Sequence, residues 1–138
     1  MLVKDVMSTR VATIRSVTML PEAAQILGQE NVGVLPVEDN GKLVGMVTDR
    51  DITVQAVAKG NVNCPVSDVM TTNPVTITSQ TTTKEAIRLM EQSNVRRLPV
   101  VDNDRIVGIV SFEDLVEGGD DQAIIHALHT FPQQTRHA

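Results

Sequence analysis

The tetrapeptide Thr48-Asp49-Arg50-Asp51 follows the apolar run "VGMV" and sets a hydroxyl and a carboxylate three residues apart. The chain repeats the arrangement at Ser111-Phe112-Glu113-Asp114, after "VGIV". A hydroxyl followed three positions later by an acid forms a capping box, in which each side chain accepts a hydrogen bond from the other residue's backbone N–H. Taken alone, each tetrapeptide is therefore a helix start. The same helix start offers unpaired N–H groups and a partial positive charge that suit a phosphate. A carboxylate beside it can accept both hydroxyls of a ribose. Hydroxyl, N–H groups and acid thus supply phosphate and sugar contacts together. Arg96 and Arg97, in "NVRRLPVVD", bring cationic charge to the second copy; outside such a context an adjacent arginine pair is a solvated surface.

The elements that position these groups belong to a duplication. At an offset of 63 residues, positions 3–52 match positions 66–115 without gaps, at 23 identities in 50 positions. "VKDVMSTRVATIRS" is echoed in "VSDVMTTNPVTITS", and "NVGVLPVEDN" in "NVRRLPVVDN". A period this long is a duplicated small domain, and each copy is too short to be comfortable alone, so a shared core is expected. Within a copy, "VATIR" or "VTIT" reads as a first strand. The spacing of Ala23, Ile26 and Leu27, and of Ala86, Leu89 and Met90, predicts a helix. "VGVLPVED" or "RRLPVVD" predicts a second strand. A tight turn at "DNGK" or "DNDR" leads to a third strand, and a closing helix follows. The order is β-α-β-β-α in each copy. Pro36 and Pro99 cannot donate to a ladder, which implies short or edge strands there, or an irregular half-strand.

The reading divides the chain into a first copy at 1–60, a linker at 61–65, a second copy at 66–118 and a tail at 119–138. In the tail, "QAIIHALHTF" places Ile124, Ile125, Leu128 and Phe131 on one face of a short C-terminal helix, with Asp120 or Asp121 as its cap. That helix is expected to cover a module surface or to meet another subunit. His126 and His129 lie at helical spacing without a third ligand, so they read as a surface or interface pair rather than a metal site. Met7 and Met70, recurring in "DVM", read as core or pocket-wall residues.

Composition narrows the function. A chain of 138 residues, 41% hydrophobic, can build a core without staples. The single cysteine, Cys64, forms no internal disulfide and fits a reducing cytoplasm. No signal peptide or membrane-spanning run is expected. A net charge of -5 with scattered Lys and Arg, no Trp or Tyr and two Phe argues against nucleic acid as a partner. All three His lie from position 126 onward, and neither a Walker loop nor a Gly-x-Gly-x-x-Gly turn occurs, so no catalytic set and no metal site is expected.

The ordered motifs "DVMS/DVMT", "LPVED/LPVVD" and "VGMVTDRDI/VGIVSFEDL", each present twice, resemble the CBS domain (named for cystathionine β-synthase) as a tandem pair reaching to about residue 117. The family's adenosine-nucleotide signature Gly-x-x-Thr/Ser-x-x-Asp is matched by Gly45, Thr48 and Asp51 and by Gly108, Ser111 and Asp114. The resemblance implies an α/β (α+β) fold in which the two repeats pack as a pseudo-twofold pair with two clefts between them, and two pairs joined as a disc-like homodimer. It places the acid on the ribose, the hydroxyl toward the phosphate and apolar residues around the adenine. By that match one cleft uses Ile109, Ser111 and Asp114, with Arg96 and Arg97 toward the phosphates, and the other uses Met46, Thr48, Arg50 and Asp51. Val11, Ala12, Pro74 and Val75 are the base-side walls. Arginines of one copy can serve the cleft whose acid comes from the other. The clefts are expected to be unequal, because Gly33 and Val34 stand where the second copy has Arg96 and Arg97, and Glu113 where the first has Arg50.

The expected function is a non-catalytic sensor. It needs no cofactor, binds AMP, ADP or ATP as a regulatory ligand, and relays energy state to an unidentified client protein or to its own dimer. The alternatives are a ligand-free dimerisation scaffold, and a binder of S-adenosylmethionine or another adenosine compound.

Overall fold

The computed structural model describes residues 1–118 together with Ile125 and Leu128. The chain is a mixed α+β fold that divides into two compact units. One is Ala12–Pro74; the other joins Met1–Val11 to Val75–Ala138. They are called here the Thr48 unit and the Ser111 unit, after the hydroxyl each carries.

In the Thr48 unit, α1 (Leu20–Glu30) starts with a proline in its first turn and buries Leu20, Ala23 and Leu27. It ends at Asn31, whose left-handed backbone (φ 55°) lets its N–H cap the last carbonyls. The strands β1 (Val34–Asp39) and β2 (Lys42–Thr48) then form an antiparallel hairpin. Its two-residue turn has positive φ at both Asn40 (53°) and Gly41 (81°), the requirement of a type I′ turn that matches strand twist. A two-residue strand, β3 (Thr71–Thr72), pairs with β2 opposite Gly45 and Met46. The closing helix begins as α2 (Asp49–Ile52) and continues as a π-wound turn over Thr53–Val57, where Ala56 is buried.

The Ser111 unit follows the same plan with α3 (Thr83–Ser93), β4 (Arg97–Asp102), β5 (Arg105–Ser111) and α4 (Phe112–Gly118). Thr82 caps α3 through its hydroxyl, which accepts from Glu85 N at 3.1 Å, and Asn94 ends it in the left-handed region. The β4–β5 turn has positive φ at Asn103 and Asp104.

The structure departs from the expected elements in three places. The first strand of each copy shrinks to a single bridge, Ile14 beside Val37 and Ile77 beside Val100. Ile14 N donates to Pro36 O and Ile14 O accepts from Glu38 N, so one residue uses up the contact. Register shifts after Val37 and after Val100 mark the same half of β1 and β4 as irregular. Second, the "VKD" and "VSD" segments form 3-10 turns over Val3–Asp5 and Val66–Asp68.

Third, the compact units do not follow the linear division of the repeats. Val3 is buried in the core of the Ser111 unit with Ile77, Leu98, Phe112 and Leu115. Residues 61–65, read as a linker, lie in the Thr48 unit, whose core takes in Cys64, Val66 and Val69 beside Leu20 and Val47. Each "DVM" segment thus packs on the hairpin of the other copy's sequence. The expected tail helix and its histidines fall outside the described residues except for Ile125 and Leu128, which are helical and exposed.

Candidate functional site

Each hairpin delivers its last residue, Thr48 or Ser111, to a helix start. Two close contacts fix the strand that does so. A Cβ at Gly45 would stand 2.7 Å from Met70 Sδ and 2.8 Å from Thr71 O; one at Gly108 would stand 2.7 Å from Met7 Sδ and 2.9 Å from Ser8 O. Glycine is required at both because the neighbouring backbone lies where a side chain would begin. The motifs "VGMV/VGIV" and "DVM" therefore occur together for a packing reason. Met7 and Met70 serve as packing residues, as their recurrence suggests.

At both helix starts the capping box is complete. Thr48 N donates to Asp51 Oδ2 at 2.9 Å and Asp51 N to Thr48 Oγ1 at 2.9 Å. Ser111 N donates to Asp114 Oδ2 at 2.9 Å and Asp114 N to Ser111 Oγ at 3.1 Å. Both acids are half-buried, and Ser111 is buried. Each acid spends Oδ2 on the cap, and no hydrogen bond from the described residues reaches its Oδ1. A half-buried carboxylate held rigid by its own cap, with one oxygen open, is positioned to accept hydroxyl protons from a ligand.

The surroundings of the two acids differ. Arg96 lies over the ring of Phe112, its Cζ 4.8 Å from the centroid, and its Nη2 donates to Glu113 Oε1 at 3.2 Å. Phe112 is buried and packs into the core, so the guanidinium rests on a fixed platform. Burial pushes the Glu113 carboxyl up, but its own backbone N–H and the charges of Arg96 and Arg97 outweigh this and hold it below the ordinary glutamate range. Arg97 is half-buried on β4 opposite Ser111.

In the Thr48 unit the residues at the corresponding positions are Gly33 and Asp49. The backbone contact is shared, Asp49 N donating to Gly33 O at 3.0 Å as Phe112 N donates to Arg96 O at 2.8 Å. There the Asp49 carboxylate lies over Gly33, its Oδ2 3.4 Å from where a Cβ would be, beside an open depression lined by Leu27, Asn31 and Val32. Asp49 and Arg50 are exposed.

The remaining expected site residues spread more widely. Met46 and Ile109 are half-buried on β2 and β5; the backbone of Ile109 exchanges two 2.9 Å hydrogen bonds with Ser8. Val11 and Ala12, and likewise Pro74 and Val75, stand where the chain passes from one compact unit to the other. Ala12 packs against the core of the Thr48 unit, and Val75 is exposed. Phe112 and Asp49 were not singled out from the sequence. The signal was present as an aromatic aligned with an acid at the 63-residue offset. Among the described residues no cluster of three His, Cys, Asp or Glu side chains could hold a metal, and no helix is long and apolar enough to cross a membrane.

A twofold β-hairpin, each ending in a hydroxyl-and-acid helix cap, is the architecture of a tandem CBS pair. The chain belongs to the CBS domain family, whose model matches residues 3–56 and again 66–119. It is 45% identical over 114 residues to the CBS domain-containing protein YhcV of Bacillus subtilis (strain 168), covering 82% of this chain and 81% of that protein. It is similar to the solved CBS domain pair of protein MJ0100 in complex with 5′-methylthioadenosine and S-adenosyl-L-methionine. That match has a TM-score of 0.77 and 36% identity over 85% of this chain and 94% of that one. It is also similar to CBSX2 solved in complex with AMP, with a TM-score of 0.75 and 31% identity over 84% of this chain and 93% of that one.

Proposed function

We propose that the chain is a non-catalytic regulatory module that binds an adenosine compound, AMP, ADP or ATP foremost, through Asp51 and Asp114. The observation that carries this reading is the open Oδ1 on each half-buried, cap-locked acid, beside a hydroxyl at the end of a strand. Arg96 and Arg97 at the Ser111 unit favour a phosphorylated ligand there. The complexes of similar proteins with AMP and with S-adenosyl-L-methionine support an adenosine compound as the class. The ligand acts by binding one arrangement of the module better than another, and a homodimer or client protein reads the difference.

The test is thermal unfolding against AMP, ADP, ATP, GTP and S-adenosylmethionine, with Asp51→Ala and Asp114→Ala alongside. A ligand at a hundred times its dissociation constant adds about 2.7 kcal/mol, a rise of several degrees at this size. The expected result is a rise with adenosine compounds that shrinks in at least one aspartate variant. A rise that persists undiminished in both variants would displace the assignment to these acids. No rise with any ligand would leave a dimerisation scaffold.

A further inference from the structure

We propose, resting on that reading, that the two units select adenosine ligands by the charge of the 5′ substituent: the Ser111 unit takes a phosphorylated nucleotide, and the Thr48 unit an adenosine compound without phosphate. The ribose-type acid is common to both units, with the same cap geometry to within 0.2 Å (2.9 and 2.9 Å against 2.9 and 3.1 Å). What differs is the charge next to the cap.

In the Ser111 unit two arginines face one glutamate. The Arg96 side chain is 37% exposed on its aromatic platform, and Arg97 stands next to it on β4 opposite Ser111. A phosphate next to that helix start meets positive charge, and an arginine fork suits its oxygens.

In the Thr48 unit the arginine pair is replaced by Gly33 and Val34, and the place of the aromatic is taken by Asp49, one residue from Thr48. Its carboxylate accepts no hydrogen bond from the described residues and lies over Gly33. A phosphate dianion brought to this end of the unit meets a carboxylate with Arg50 as the neighbouring cation, so the charge that favours the nucleotide in one unit is cancelled in the other. The depression beside Asp49 joins that acid to Leu27 and Val32. Aliphatic carbon, the Asn31 amide and one carboxylate line it, with no cation among them, which suits a substituent that is neutral or positive, as a thioether or a sulfonium is. In the Ser111 unit the stacked Arg96 and Phe112 stand at the matching positions.

Calorimetric titration of the full chain with AMP, 5′-methylthioadenosine and S-adenosylmethionine tests this. Asp51→Ala and Asp114→Ala assign the sites. AMP binding is expected to be lost in Asp114→Ala and kept in Asp51→Ala, with the phosphate-free ligands showing the reverse. Asp49→Asn changes an exposed side chain by one atom and keeps the fold testable if either alanine variant unfolds. It is expected to tighten AMP at the Thr48 unit by about tenfold, the scale of one charged hydrogen bond gained or one repulsion removed, and to weaken the sulfonium relative to the neutral thioether. Gly33→Arg is expected to act in the same direction on AMP. Two AMP sites of equal affinity, one lost with each aspartate, would overturn the selection while leaving the adenosine reading intact. An Asp49→Asn variant with unchanged ligand preference would do the same. Binding of no adenosine compound at all would overturn both.

Discussion

The Thr48 and Ser111 units share their hairpins, their glycine contacts and their helix caps, and they diverge in the side chains around each cap. Where the Ser111 unit stacks Arg96 on a buried Phe112, the Thr48 unit sets an exposed Asp49 over Gly33. The two helices that follow differ accordingly. Phe112 and Leu115 both anchor α4 in the core, whereas α2 runs four residues without a buried side chain before the chain widens into a π turn with Ala56 buried. The two copies keep what holds the backbone and differ in the side chains that flank the cap. The lesson is that the two halves of one repeat can carry the same cap and still present opposite charge.

Truncating the divergent pair gives the largest contrast. Phe112 is 2% exposed, and Phe112→Ala leaves a cavity and removes the platform under Arg96, a cost of about 3–5 kcal/mol. Asp49→Ala changes an exposed side chain and is expected to shift stability by no more than about 0.5 kcal/mol. Chemical denaturation of the two variants measures both; similar losses would mean that position 49 is structural after all and that the contrast between units is superficial.

The shared glycines sharpen the comparison from the other side. Gly45→Ala and Gly108→Ala each drive a methyl against a methionine sulfur and a backbone carbonyl. The sulfur can swing away, but Thr71 O and Ser8 O cannot, so each change is expected to cost about 1–3 kcal/mol. The two costs should be alike. A large inequality would show that one "DVM" segment is held less tightly than the other, and Met7→Ala in the Gly108→Ala background would relieve only the sulfur's share.

Much of this frame is legible in the sequence. The hairpin turns announce themselves as Asp-Asn-Gly-Lys and Asp-Asn-Asp-Arg, and α1 and α3 through the spacing of Ala23 and Leu27 or Ala86 and Met90. The capping boxes were readable because both partners lie within one turn. The exchange of the "DVM" segments was not, since Val3-Lys-Asp-Val-Met and Val66-Ser-Asp-Val-Met are nearly the same string and either would fit either hairpin. Local sequence carries no information about which is taken. The first strand failed for a related reason: its β-like composition is real, but β1 offers it a single bridge at Ile14 before the register shifts. The Arg96–Phe112–Glu113 cluster joins residues 16 and 17 positions apart, and periodicity does not reach that far.

The smallest expected contrast lies at the turn end of each hairpin, where Asp39 and Asp102 are the last residues of β1 and β4. Ser16 donates through its hydroxyl and its N–H to Asp39, and Ser79 N donates to Asp102 Oδ1 at 3.0 Å, the same 23-residue span in each unit. Both carboxyls are held below the ordinary aspartate range, Asp39 by the Ser16 hydroxyl and then its N–H, Asp102 by those of Ser79, with desolvation opposing in each. Asp39 alone has a further contribution, the charge of Arg15, where the second copy has Thr78. Because the folded carboxyls are more acidic than the unfolded ones, their stabilisation is complete above the unfolded value of about 3.9 and is lost as the pH falls through the lower folded values. Stability should therefore be flat in this respect at neutral pH and fall below about pH 4. Ser16→Ala and Ser79→Ala should each make that acid loss shallower. Arg15→Thr should trim only the part due to Asp39, and since an exposed charge acts through solvent, that part should vanish in high salt. Denaturation midpoints between neutral and acid pH, at low and high salt, measure this. An acid slope that Arg15→Thr leaves unchanged at low salt would mean that the two hairpin turns are electrostatically the same, and that the units differ in charge only around their helix caps.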